Sequence, residues 1–245
     1  MQRDRLIDHL DTLLAVRDFD DYGPQGLQVE GRAKVNKIVL GVSASAELFR
    51  RAVDLGADMV IVHHGILWNR ERMVVKGLYK ERLKLLLEND ISLLAYHLPL
   101  DKHPELGNNA VAAAALHLQE LDDFAQVGIQ GICPPISPAE LIKQVKNLYQ
   151  SEATVFAFGP ESIRRIAICS GGAARDLSLA IDLGLDAYIT GEAGEPSLHL
   201  AKEGKIHFIA AGHYATERLG IKSLGDYLRS QFELESEFID LPNPI

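Results

Sequence analysis

Histidine and carboxylate side chains follow four short apolar segments of this chain, and they are the side chains best suited to bind metal ions. Their imidazole nitrogens and carboxylate oxygens, without a thiolate, are a donor set typical of Zn, Fe, Mn, Ni or Co. These candidate ligands are more numerous than one structural ion needs, so the pattern predicts a dinuclear centre with a bridging carboxylate. Two ions about 3.5–4 Å apart can share and acidify a water for hydrolysis. The residues are His63 and His64 after MVIV (59–62), His97 and Asp101 after ISLLAY (91–96), Glu192 after AYIT (187–190), and His213 and Glu217 after IHFIAA (206–211).

The adjacent histidines His63 and His64 raise a geometric question. Neighbouring residues of a strand point to opposite faces, so the two side chains cannot easily bind one ion from within a regular strand. At a strand end, or between two ions, each imidazole can serve a different metal. The alternative is one histidine hydrogen-bonded in the core and one exposed to solvent.

The second pair, His97 and Asp101, is separated by Pro99, which predicts that no regular helix forms between them. The carboxylate of Asp101 offers a hard oxygen ligand. The alternative is that Asp101 caps a loop.

The third pair, His213 and Glu217, would share one face of a helix that begins near Tyr214, because residues four apart are neighbours on a helix. Glu192 has three interpretations: a fifth metal ligand, a general base, or a charge favoured by the dipole at a helix start.

Short apolar segments alternate with amphipathic ones along most of the chain, which predicts an α/β fold with mixed sheets flanked by helices. Segments 46–56 and 174–184 are helical in pattern, and each ends in a glycine suited to a helix C-terminus. Ligands of α/β sheets bind beyond the carboxyl ends of the strands, where the candidate residues fall. The predicted strands are KIVLGV (37–42), RIAICS (165–170) and the four segments named above.

Two pairs of stretches resemble each other, which predicts an internal duplication of a βαβ-type half. Chance similarity between two βαβ units is the alternative. The second match places His97 over His213 and Asp101 over Glu217. The aligned stretches are 37–58 over 165–186, at an offset of 128 residues, and 93–101 over 209–217, at an offset of 116.

A proline-rich stretch separates the two halves, and Pro134-Pro135 is its clearest break. The predicted organisation is therefore a first α/β half at residues 1–118, a small inserted subdomain at 119–160, and a second α/β half at 161–245.

The composition is that of an ordinary soluble protein, with 245 residues, 47% hydrophobic and 24% charged. A formal charge of −9 argues against attraction to nucleic acid or an anionic membrane, although a local basic patch remains compatible with it. The two cysteines form no CxxC pair, which favours a reducing cytoplasm. The first residues predict an amphipathic helix rather than a signal peptide.

The sequence resembles the GTP cyclohydrolase 1 type 2 homolog family, also called NIF-three-like dinuclear metal-binding proteins, as a compact bacterial member. The resemblance spans nearly the whole chain. The matching stretches are DYGPQGLQVEG (21–31), VHHG (62–65), AYHLPLD followed by PELGNNA (95–110), TGE (190–192) and AAGHYATERLGI (210–221).

The resemblance implies a toroidal homohexamer whose metal sites face an inner cavity, with Glu217 bridging the two metals. His97 is outside the ligand set that the resemblance implies, and we retain His97 and Glu192 as candidates for catalytic or supporting roles. The implied ligands are His63, His64, Asp101, His213 and Glu217.

The family name implies attack of a metal-activated water on the guanine ring of GTP, and the leading hypothesis is a hydrolase acting on a nucleotide or related small molecule. A non-catalytic metal carrier and a ring-shaped scaffold for a protein or nucleic-acid partner, for example in repair, are the alternatives. The chain lacks a GxxxxGK[ST] loop. The turn SGGAARD (170–176) can bind phosphate through backbone N–H groups or be a plain βα turn.

Overall fold

The structure is a computed structural model that describes residues 1–69 and 74–245, and its strands form two mixed sheets. The sheets belong to two compact units, the first made of Met1–His103 and Ile221–Leu241 and the second of Pro104–Gly220 and Pro242–Ile245. Helices flank both sheets, which confirms the predicted α/β class. Among the described residues, no helix is both long enough and apolar enough to cross a membrane.

The first unit contains a five-stranded sheet in the order β1-β4-β3-β2-β11. Strands β11, β2, β3 and β4 run parallel, and β1 is antiparallel to β4. Its core includes the fully buried Leu48, Phe49 and Val60. The elements are α1 (Arg3–Leu13), β1 (Gly26–Val29), β2 (Lys37–Ser43), α2 (Ala46–Asp54), β3 (Met59–His64), α3 (Gly77–Glu88), β4 (Ser92–Ala95), α4 (Leu98–Lys102) and β11 (Glu235–Phe238).

The second unit contains a six-stranded sheet in the order β5-β6-β8-β9-β10-β7. Strands β8, β9 and β10 run parallel, whereas β5, β6 and β7 pair in antiparallel fashion. The elements are α5 (Asn108–Ala115), β5 (Gln119–Phe124), β6 (Gly128–Ile136), α6 (Pro138–Tyr149), β7 (Thr154–Ala157), β8 (Ile163–Cys169), α7 (Leu177–Asp182), β9 (Ala187–Thr190), α8 (Ser197–Gly204), β10 (His207–Ala210) and α9 (His213–Thr216), and the chain continues into α10 (Arg218–Phe232).

The predicted segments 1–118, 119–160 and 161–245 do not coincide with these two units. The segment 119–160 supplies β5, β6 and β7 to the six-stranded sheet, and the C-terminal β11 pairs with β2 in the five-stranded sheet. Division of the chain into three segments stays a prediction about its organisation.

Strand order and register support the internal duplication. The order β1-β4-β3-β2 in the first unit matches β7-β10-β9-β8 in the second, with an antiparallel outer strand in each. Ile38 lies opposite Met59 in the first unit, and Ile166 lies opposite Ala187 in the second. Both pairs obey the offset of 128 residues that the sequence alignment predicts.

The same hydrogen bonds recur around one aspartate in each unit. The aspartate lies in the turn between a helix and the next strand, and its carboxylate accepts backbone N–H groups near the start of the preceding parallel strand. These bonds hold the turn against that strand. The bonds are those from Asn36 and Lys37 to Oδ2 of Asp58, at 2.8 and 3.1 Å, and those from Arg164 and Arg165 to Oδ2 of Asp186, both at 2.8 Å.

The strand pairing shows that β4 and β10, the third parallel strand of each repeat, correspond at an offset one residue smaller than the alignment of 93–101 with 209–217 predicts. Met59 lies opposite Ser92, and Ala187 lies opposite His207, so the strands correspond at an offset of 115 rather than 116. Gly212, with a φ of +96°, lies between β10 and His213. This extra residue places His213 one position further from its strand than His97 is from β4.

Candidate metal-binding site

His63 and His64 are the last two residues of β3, which lies between β2 and β4. Although strand residues alternate between faces, the centroids of the two rings are only 4.8 Å apart. The Nδ1 atom of His63 lies 2.9 Å from the carbonyl oxygen of Tyr96, and Nδ1 of His64 lies 3.2 Å from Oγ of Ser43. With the Nδ1 atoms engaged by oxygens, the Nε2 atoms are the ones suited to bind a metal ion.

His97 lies just before α4, and its ring approaches both strand-end histidines. The ring centroids are 5.0 Å from that of His63 and 5.5 Å from that of His64. Each of the three rings offers a nitrogen within 4.8 Å of the others. Nδ1 of His97 lies 2.8 Å from Oδ1 of Asp21, whose side chain is 1% exposed. The first unit therefore contains three clustered imidazoles, each supported through Nδ1 by an oxygen.

Asp101 lies in α4 and is buried, with Oδ2 3.4 Å from Nε2 of His63. The expectation that Pro99 prevents a helix between His97 and Asp101 is wrong. Pro99 is the second residue of α4, and a proline is tolerated in the first turn because the N–H groups there have no partner within the helix.

The short helix α9 begins at His213 itself rather than near Tyr214, and Glu217 directly follows its last residue. Nε2 of His213 is 3.1 Å from Oε1 of Glu217, as their spacing of four residues predicts. Nδ1 of His213 is 2.5 Å from Oε1 of Glu192. Glu192 lies five residues before α8, which begins at Ser197, so it is outside the first turn of that helix.

The electrostatics of this second group favour a protonated imidazole. Burial alone would lower the pKa of His213, but hydrogen bonds and charges from Glu217 and Glu192 outweigh it and raise the pKa from 6.5 to about 9. An imidazolium between two carboxylates is a place where a divalent cation can replace a proton, since metal ions bind the deprotonated ring.

The glycine turn at 170–176 lies against the second group. A Cβ atom on Gly171 would be 2.3 Å from Oε1 of Glu217, and Gly171 has a φ of +68°. Its N–H donates to Oγ1 of Thr216 at 3.0 Å. The side chain of Glu217 can therefore occupy its position because Gly171 has no side chain.

The donor chemistry of both groups fits a divalent transition metal. Metal-binding histidines usually donate their second ring N–H to a carboxylate, a carbonyl or another oxygen, which fixes the ring orientation. His63, His64, His97 and His213 all have such a neighbour within their own unit. Sequence reasoning named Glu192 but missed the supporting oxygens of Tyr96, Ser43 and Asp21. Asp21 begins the stretch 21–31, whose match to the family was the available signal.

Comparison with known proteins supports the predicted resemblance. A curated Pseudomonas aeruginosa protein named "GTP cyclohydrolase 1 type 2 homolog" is 47% identical over 245 residues, covering 98% of this chain and 97% of its own length. A protein of the same name from Yersinia pestis is 46% identical over 237 residues, with 96% of both chains covered.

Solved structures share the whole fold. The protein ybgI, described as of unknown function, is 43% identical, with a TM-score of 0.96 and complete coverage of both chains. TTHA1606 from Thermus thermophilus is 34% identical, with a TM-score of 0.93 over the full length of both chains. The Duf34/NIF3 (NGG1p interacting factor 3) family matches residues 1–244. Because the family match spans nearly the whole chain and the relatives are similar over their full length, the chain belongs to the Duf34/NIF3 family.

Proposed function

We propose that this protein is a dinuclear metal-dependent hydrolase that acts on a nucleotide or a related small molecule. The name carried by its curated relatives, "GTP cyclohydrolase 1 type 2 homolog", supports this substrate class. The proposed ligands of two divalent ions are His63, His64, Asp101, His213 and Glu217.

The observation that carries the proposal is a buried carboxylate beside an imidazole in each unit. Asp101 is 3.4 Å from His63, and Glu217 is 3.1 Å from His213. Both carboxylates are almost fully buried, at 4% and 2% exposure. A buried carboxylate is costly unless it is paired or binds a metal, so its retention beside an anchored imidazole favours a metal site.

Bound divalent ions would supply Lewis acidity and an acidified water to such a reaction. The chain's own residues would perform the remaining tasks. His97 is proposed to accept a proton beside His63 and His64. Glu192 is proposed to hold the ring of His213 through Nδ1, so that Nε2 stays directed at the metal. The metal ions themselves are expected to be Zn, Fe, Mn, Ni or Co.

A cytoplasmic location and a toroidal homohexamer are further proposals, based on the family resemblance. Light scattering coupled to size-exclusion chromatography tests the assembly, with a mass six times 27.0 kDa expected. A monomeric mass at micromolar concentration would reject the hexamer without affecting the metal proposal.

Elemental analysis of freshly purified protein tests the metal proposal. We expect two ions per chain in the wild type and a loss of metal in the variants His63→Ala and His213→Ala. The matched control is His199→Ala, since His199 is exposed on α8. Full metal content in both ligand variants would refute the assignment of these residues.

An activity screen with GTP and other purine or phosphate compounds, using the metal found, tests the hydrolase function. Turnover that disappears in His63→Ala supports it. Readily exchangeable metal without turnover on any compound would instead favour a metal carrier, and salt-dependent binding of nucleic acid would favour a scaffold.

A further inference from the structure

The stretch DYGPQGLQVEG (21–31) contacts His97 and the loop that follows His64 in the first unit. Its first residue, Asp21, is the neighbour of His97 described above. Oδ2 of Asp21 accepts the N–H of Leu98 at 2.9 Å, and Oδ1 accepts the N–H of Tyr22 at 2.6 Å. The carboxylate is therefore fixed to the backbone on both sides of the contact with His97.

Two glutamines of the same stretch hold the backbone around the histidines. Oε1 of Gln25 accepts the N–H of His97 at 2.6 Å. Oε1 of Gln28 accepts the N–H of Ile66 at 2.8 Å, just after the strand end. A Cβ atom on Gly65 would lie 2.3 Å from Oε1 of Gln28, so this close approach requires a glycine there. The stretch 21–31 thus supports His97 and the loop after His64 together.

The hydrogen bonds around Asp21 determine which nitrogen of His97 carries the proton. Each carboxylate oxygen already accepts a backbone N–H, so the contact of 2.8 Å with Nδ1 of His97 requires the ring to donate. In a neutral imidazole with its proton on Nδ1, Nε2 is an acceptor. The ring of His97 lies 5.0 Å from that of His63, and the rings of His63, His64 and His97 each offer a nitrogen within 4.8 Å of the others.

We propose that Asp21 is the positioning residue of His97, holding its ring in the Nδ1–H tautomer so that Nε2 is left as the acceptor nitrogen. This role rests on the proposed hydrolase function. Asp21 acts through His97 and is not itself a catalytic residue.

Asp21→Ala is the sharpest variant, because it removes the acceptor at Nδ1 of His97 in every side-chain orientation. Without that acceptor, the neutral ring is expected to carry its proton on Nε2. An asparagine could keep the Nδ1–H contact by placing its amide oxygen where Oδ1 lies, so it does not decide the tautomer. The matched control is Asp11→Ala, which removes another carboxylate of the first unit, one that accepts the hydroxyl of Tyr96 at 2.9 Å.

Nitrogen-15 NMR of histidine-labelled, metal-free protein at mildly alkaline pH reads the tautomer directly, and the spectrum of His97→Asn identifies the His97 signals. We expect the Nδ1–H form in the wild type and in Asp11→Ala, and the Nε2–H form in Asp21→Ala. An Nε2–H form in the wild type, or an unchanged tautomer in Asp21→Ala, would overturn the proposal.

Metal content separates a proton acceptor from a ligand. We expect Asp21→Ala and His97→Asn to retain the metal stoichiometry of the wild type, and a loss of metal in His97→Asn would overturn the assignment of His97 as a proton acceptor. With an active substrate, kcat should fall by about 10²-fold or more in both variants, while KM changes little. Absence of turnover in the wild type as well would reject the hydrolase function, and NMR would still decide whether Asp21 sets the tautomer.

Discussion

Oε1 of Glu192 lies 2.5 Å from Nδ1 of His213, and this contact defines the orientation of the ring in the second unit. The opposite nitrogen, Nε2, is thereby directed at Oε1 of Glu217, 3.1 Å away. A carboxylate, an imidazole and a second carboxylate form a line in which the central ring cannot rotate without losing both contacts. The arrangement suits a ring whose Nε2 binds a metal together with Glu217.

Replacing Glu192 by glutamine should weaken metal binding without removing it. The loss of a carboxylate that orients a ligand histidine typically costs about 10–100-fold in metal affinity. Competition with a fluorescent chelator measures this affinity. Glu195→Gln is the matched control, because Glu195 is exposed in the same loop. Equal affinity in Glu192→Gln and the control would contradict the orienting role.

Stability of the metal-free protein should depend on pH through His213. Its folded pKa of about 9 lies above the reference value of 6.5, so the stabilisation is complete below pH 6.5 and is lost as the pH rises through about 9. Urea unfolding in the presence of a chelator should show this decline for the wild type. His213→Gln should show a smaller decline over the same range, and identical pH profiles for both proteins would argue against the raised pKa.

Gly171→Ala should displace Glu217 and reduce metal content. The new Cβ atom would lie 2.3 Å from Oε1 of Glu217, in addition to the cost of a positive φ of 68°. Gly184→Ala is the control, with a φ of 64° but its nearest contact, to Arg165, at 3.7 Å. Backbone strain costs about 1–2 kcal/mol in each variant.

We expect Gly171→Ala to lose more stability than backbone strain alone costs and also to lose metal. Gly184→Ala should lose only the stability that backbone strain costs and should keep its metal. Thermal unfolding and elemental analysis of the two variants provide the comparison. If both variants retain full metal content, the close packing of Gly171 against Glu217 is not required for the site.

The repeated aspartates should matter for stability in both units. Asp58→Ala deprives two backbone N–H groups and Arg32 of their acceptor, at about 1–3 kcal/mol for each buried group left unsatisfied. Asp186→Ala should cost less, because Asp186 is only half-buried. Chemical denaturation measures both losses. Asp54 and Asp182 form the matched controls, being exposed at the ends of α2 and α7, and alanine there should change stability little.

Asp21 should stabilise the folded protein at neutral pH and lose this effect in acid. Burial alone would raise its pKa, but hydrogen bonds from His97 and from the backbone outweigh burial and leave the pKa below 3.8. Its contribution is therefore present above pH 3.8 and disappears as the pH falls through the lower folded pKa. The difference in unfolding free energy between wild type and Asp21→Asn should narrow in that range. A difference independent of pH would contradict this assignment.

Local patterns in the sequence predicted the donor residues and the repeated architecture. Apolar segments followed by histidines indicated strand ends, because strand and helix periodicity depend on near neighbours in the chain. The offset of 128 residues between 37–58 and 165–186 predicted the paired registers of β2–β3 and β8–β9, which the strand pairing confirms. The type of donor and its place at a strand end were therefore accessible without a structure.

Tertiary structure alone decided which oxygen supports each ring. Asp21 is 76 residues away from His97 along the chain, and Ser43 is 21 residues from His64. These contacts depend on strand order and on where the loops return, neither of which leaves a periodic signal in the sequence. The extra residue at Gly212 likewise emerged only from the strand register. The hydrogen-bond partners of these histidines thus depend on long-range packing, whereas the histidines themselves are visible in the local sequence.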